Sequence, residues 1–171
     1  MSLAVPVLLL AQLVSSHRQA APAPSSAAAE RAGGLAWKVP AGWVAAPSAS
    51  SMRVATYRVD DAEMAVFYFG PGQGGSVESN VERWLAQFQG GKGQTRTLKV
   101  GDIPVTMVST TGTYASGMPG ASTTPRSGYA LYGAIAEGPG GTVFFKLTGP
   151  QKTVDASKAG FDSLIKSLKK G

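Results

Sequence analysis

Apolar and polar residues alternate along MRVATYRV (52–59), with Met52, Val54, Thr56 and Arg58 on one side and Arg53, Ala55, Tyr57 and Val59 on the other. A period of two predicts a strand. Asp60 and Asp61 follow, then EMAVFYF (63–69), so a short polar link joins two strand patterns and predicts a hairpin. The second strand is apolar on both faces, which places it inside a sheet. The repeat then becomes helical. Val77, Val81, Trp84, Leu85 and Phe88 share one face, with Ser76 as N-cap, Glu78 in the first turn and Gly90 and Gly91 as the stop.

Strand patterns return in QTRTLKV (94–100) and IPVTMVSTTGTYA (103–115), joined by the Gly101–Asp102 turn. SGMPGASTTPRSG (116–128) reads as a long polar loop. YALYGAIAEG (129–138) and TVFFKLTG (142–149) make a second hairpin across Pro-Gly-Gly. Val154, Phe161, Leu164, Ile165 and Leu168 form a final helical stripe, with Thr153 as the expected N-cap. Upstream, LAWKVP (35–40) predicts a short strand and residues 44–51 a loop. Short links between strands imply antiparallel pairing, and the two amphipathic helices must cover the sheet. The expected class is α+β: a central antiparallel sheet of about six or seven strands with two helices packed on it.

Residues 1–32 read differently. The apolar run LAVPVLLLAQLV (3–14) suits the core of a secretory signal, although no Lys or Arg precedes it. The Ala/Pro/Ser tract after it reads as a disordered linker. The expected organisation is a leader and linker over 1–32, then one domain over 33–171, exported to the periplasm or beyond. Removing the leader would remove His17, the only histidine.

Charged residues make up 15% of the chain, against about a quarter in a typical soluble domain. The net charge is +6, but the basic residues are scattered. Their one cluster, Lys166, Lys169 and Lys170, suits the last turn of a helix, where cations complement the dipole. No nucleic-acid partner is expected. There is no cysteine. Disulfides, zinc–thiolate sites, thiol catalysis and a lipid anchor through an N-terminal cysteine are excluded. Without cysteine or a histidine in the domain, a non-enzymatic role with no cofactor and no metal is expected.

Gly70, Gly72 and Gly75 match G-x-G-x-x-G. A dinucleotide site also needs parallel strands around the helix and an acid about 20 residues on. Here the preceding strand belongs to a hairpin, and the next acid after Glu82 is Asp102, in a tight turn. No G-K-[ST] follows, so the glycines are expected to shape a turn. A lesser reading lets the N–H groups of Gly74, Gly75 and Ser76 hold a small anion or nucleotide phosphate. Asp60, Asp61 and Glu63 are expected to be solvated, since calcium wants 6–8 oxygen ligands. Trp84 is expected in the core, and Trp37 and Trp43 at one end of it. The strongest binding-surface candidates are Arg53 and the residues around the long loop: Tyr114, Met118, Pro119, Arg126 and Tyr129.

The stretch WKVPAGW (37–43) resembles the opening of domains with the Mog/PsbP-like fold. SSMRVATYRV, FYFGPGQGGSVESNVERWLAQF and FFKLTGPQKTV are similar to an uncharacterised family of exported bacterial proteins, many of them lipoprotein-like. The likeness runs from about Gly34 to Leu168. It implies a central antiparallel sheet with packed helices and an accessory or binding role. It supplies no catalytic residues, and the missing cysteine departs from the lipoprotein pattern. The expected function is an exported, non-enzymatic domain that binds a protein partner or small ligand, with envelope association. The alternatives are a carboxylate-dependent envelope hydrolase and an anion- or nucleotide-binding protein using residues 70–76.

Overall fold

The computed structural model describes residues 30–48, 50–115 and 124–171. The expected leader, with His17, and Met118 and Pro119 of the long loop lie outside the described residues. The elements are β1 (Glu30–Ala32), β2 (Leu35–Trp37), β3 (Val44–Ala45), β4 (Arg53–Val59), β5 (Ala62–Tyr68), α1 (Val77–Leu85), β6 (Phe88–Gln89), β7 (Gln94–Val100), β8 (Ile103–Tyr114), β9 (Arg126–Gly138), β10 (Gly141–Pro150), α2 (Gln151–Lys166) and β11 (Lys169–Lys170).

The main sheet has eight strands in the order β3-β4-β5-β10-β9-β8-β6, with β7 also on β8. Every pairing among the described residues is antiparallel. β8 is long enough to pair with β7 through its first half and β6 through its last two residues. The apolar strand β5 lies between β4 and β10, as its two-faced pattern predicts.

Alternation along the central strands sorts side chains to two faces. Val143, Phe145 and Leu147 of β10 join Met64, Val66, Val105, Met107, Ala134 and Ala136 under α2, which contributes Val154, Phe161, Leu164 and Ile165. Phe144, Leu131, Ile135 and Val108 point the other way and meet Trp84 and Phe88, with Val77, Val81 and Leu85 of α1 packed around them. The helices therefore cover opposite faces, and the sheet is the middle layer of three.

Several local expectations are corrected. β1 begins at Glu30, three residues before the expected boundary at Gly33, and pairs with β2. β2 is not in the main sheet. It is the middle strand of a separate three-stranded sheet whose other edge is β11. Lys169 and Lys170 thus lie in a strand, and only Lys166 occupies the last turn of α2. Thr153 does not cap α2, which starts at Gln151 after Pro150 without a side-chain cap. The Thr153 hydroxyl instead donates to Asp61. The loop expected over 44–51 contains β3, and α1 stops at Leu85, so Phe88 reaches the core from β6. The two-residue strands β3 and β6 were invisible to a periodicity argument because two residues carry no period.

Ser76 caps α1, its Oγ accepting from the Ser79 N–H at 3.1 Å. Ser76→Ala should lower the unfolding free energy by about 1 kcal/mol. Urea unfolding checks this: the midpoint should fall at unchanged slope.

Candidate binding groove

α1 is nine residues long and covers only part of its face of the sheet. Strand register lays that face out in rows. Phe67, Phe144 and Ile135 form one row, and Trp84 of α1 packs with Phe144 and Ile135. The next row holds Thr56, Ala65, Lys146, Gly133 and Val108. A Cβ at Gly133 would lie 2.5 Å from Trp84 Cζ3, so glycine there lets the indole press on the sheet backbone. The row beyond is more polar: Arg58, Glu63, Thr148, Leu131 and Thr110. Past the reach of α1 the face opens into a groove of about 700 Å³.

The groove gathers residues that are far apart in the chain. Arg53 and Arg58 come from β4, Glu63 from β5, Thr148 from β10, Tyr114 from β8, and Arg126 and Tyr129 from β9. Arg53 Nη1 is 2.9 Å from Glu63 Oε1, and its guanidinium lies 5.3 Å from the centre of the Phe67 ring. The Tyr114 and Tyr129 rings stack in parallel at 6.0 Å. Arg126 Nη1 donates to Tyr129 Oη at 3.3 Å, its guanidinium 5.7 Å from the same ring. Asp60 and Asp61 sit at the end of the groove, in the β4–β5 turn. The three acids do not converge as a metal site: Glu63 is paired with Arg53, and Asp61 accepts from Thr153.

Of the expected surface residues, the structure brings Arg53, Tyr114, Arg126 and Tyr129 together, and Met118 lies outside the described residues. Gly74, Gly75 and Ser76 do not line the groove. Their loop is built from within. Asn80 Nδ2 donates to the Gly74 carbonyl at 2.7 Å and to the Ser76 carbonyl at 2.8 Å, while the Ser76 hydroxyl takes the Ser79 N–H. Gly74 has φ 97°, and a Cβ there would meet Phe69 at 2.9 Å and Phe144 at 3.0 Å. These glycines turn a strand into a helix packed on the same sheet.

Lys146 is the residue the sequence argument passed over. The one polar signal was a lysine inside the apolar strand VFFKL. Its Nζ is 2.5 Å from Gln87 Oε1, and lies 5.7 Å from the Tyr114 ring centre and 5.9 Å from that of Trp84. It stands between Tyr114 and the helix and is not among the residues that line the groove. No carboxylate pairs with it among the described residues. Burial drives its amine down to about 8, the charges of Arg53 and Arg83 push the same way, and Glu63 opposes them.

A smaller hollow of about 300 Å³ lies beside β7. There Tyr132 Oη donates to Asp162 Oδ1 at 2.8 Å and accepts from Arg96 at 3.2 Å. Burial, then the Asp162 partner, raises the Tyr132 hydroxyl above its ordinary value.

No known protein family and no curated protein matches the chain. Solved structures do. The solution structure of cyanobacterial PsbP (CyanoP) from Synechocystis matches with a TM-score of 0.56 at 13% identity, over 84% of this chain and 91% of that one. A Pseudomonas aeruginosa protein of unknown function matches with a TM-score of 0.45 at 12% identity, over 83% and 95% of the two chains. With its antiparallel sheet held between two helices, this chain has the PsbP-like α+β fold.

Proposed function

We propose that this protein is an exported, non-enzymatic binding domain that engages a protein partner or small ligand through the groove beside α1. The observation that carries the reading is the convergence of Arg53, Arg126, Tyr114 and Tyr129 on one open cavity of about 700 Å³. Aromatic rings and guanidinium groups contribute most per residue at recognition surfaces. The stacked tyrosines offer a flat apolar wall, and Arg126 lies against one of them and donates to its hydroxyl. The signal-like run over 3–14 supports export. The PsbP-like fold is compatible with this role, but function rests on the site and not on the fold.

The test uses the full chain expressed in a bacterial host, with the mass of the recovered protein and capture from envelope extracts as readouts. A shortened N-terminus and a partner or small molecule retained by the wild type but lost by Arg126→Ala/Tyr129→Ala are expected. Equal retention by the double variant would overturn the groove as the binding surface. An intact N-terminus in the cytosolic fraction would overturn export.

A further inference from the structure

We propose a second interaction surface, separate from the groove: the open edge of β7 takes up an extended, acidic segment of a protein partner as an added strand.

Backbone geometry exposes this edge. β7 pairs with β8 over all of Gln94–Val100 without a register shift, and nothing bonds to the backbone of its other side among the described residues. The Gly101–Asp102 turn joins Val100 to its partner Ile103, with Gly101 at φ 58°, so those two residues form a hydrogen-bonded pair. Such pairs recur at every second residue. Val100, Leu98, Arg96 and Gln94 therefore bond to β8, and the N–H and C=O groups of Lys99, Thr97 and Thr95 point outward. These three residues are exposed, and neither a proline nor a bulge interrupts them. The other edges are blunted. β1, β3 and β11 are two or three residues long, and the part of β4 that β3 leaves open carries the bulge after Arg53. A regular, uncovered edge is a template for another strand.

Charge selects the occupant. Between Glu82 and Asp102 the chain carries Arg83, Lys92, Arg96 and Lys99 and no acid. Lys92, Arg96 and Lys99 are exposed, and none of them forms a salt bridge among the described residues. Arg96 donates to Tyr132 Oη. The acids of the turn and of α2 are engaged: Asp102 lies 3.8 Å from Lys170, Asp155 pairs with Lys158, and Asp162 accepts from Tyr132. A second copy of this chain would bring the same cations and a net charge of +6 to the edge, and like charges oppose pairing. An acidic strand sets opposite charges across it.

The test is amide hydrogen exchange by NMR on the full chain at low protein concentration. The probe is a blocked peptide of about eight residues alternating Glu and Thr, with its Lys–Thr counterpart as control. In the protein alone, Thr95, Thr97 and Lys99 should exchange fast, and Arg96, Leu98 and Val100 slowly. The Glu peptide should slow the first three about tenfold when about nine tenths of the protein is bound, and the Lys peptide should not. Thr97→Pro removes one outward N–H and leaves the bonds to β8, so it should lose the Glu peptide. Lys92→Glu/Lys99→Glu should lose it too, and changes only exposed side chains, so it decides the matter if the proline variant does not fold. No protection by the Glu peptide, equal protection by both peptides, or undiminished protection in the charge variant overturns the proposal. Protection that rises with protein concentration alone also overturns it and makes the occupant a second copy. No residue of β7 lines the groove, so this result and the loss of the groove reading are independent.

Discussion

Phe145→Ala should lower the unfolding free energy by about 3–5 kcal/mol, the range for removing a fully buried phenylalanine. Phe145 has no exposed surface and lies on β10, between β5 and β9. Its ring meets Trp37 edge-on at 5.1 Å. It therefore joins the small sheet, through Trp37, to the main sheet and the α2 face. Such a loss is a large fraction of the 5–15 kcal/mol typical of a domain. Denaturant unfolding should show a much lower midpoint at unchanged slope. A loss below about 1 kcal/mol would contradict the packing of Phe145 as the bridge between the sheets.

Lys146→Met should stabilise the protein at neutral pH, by about 1–2 kcal/mol. The amine titrates near 8 in the folded chain against an ordinary 10.5. Below pH 8 both states are protonated, and the folded state bears the whole penalty of a half-buried charge. Between 8 and 10.5 the unfolded chain binds more protons, so stability rises with pH. The gain from methionine is reduced by partial solvation and by the lost contacts with Trp84 and Tyr114. Tyr57 acts in the opposite sense at higher pH. Its burial, followed by the Glu30 carboxylate, raises its hydroxyl well above the ordinary value, so stability falls once the unfolded tyrosine ionises above about 10. Wild-type stability should therefore climb from pH 8 to about 10, and the Lys146→Met protein should lack that climb. A less stable variant with the climb intact would show that Lys146 is well solvated.

Much of the architecture was legible before any coordinates. The alternation from Ala55 to Val59 and the stripe from Val77 to Phe88 follow from burial, which imposes those periods, whereas a bulge after Arg53 turns that side chain to the Phe67 face, opposite to the side the alternation assigns it. The Ser76 cap is equally local, because hydroxyl and N–H lie within one turn. The dinucleotide reading of the glycines fails on the sheet, since both strands beside β5 run antiparallel to it and leave no parallel βαβ unit at the loop. The groove was legible only in part. Arg53, Tyr114, Arg126 and Tyr129 stood out by residue type and loop position. Arg58 was only one member of a strand face, and Lys146, inside the apolar run VFFKL, drew no reading at all.

Residue patterns along the chain determined the two helices, the long strands and their inward faces, because those choices depend on neighbours one to four positions away. Only the tertiary structure decided that β2 leaves the main sheet to meet β1 and β11, and that Lys146 comes to lie between Trp84 and Tyr114. It also decided that α1 is short enough to leave a polar groove open on its side of the sheet. Strand order and register set which distant residues share a row, and a period of two is silent on which strand lies alongside.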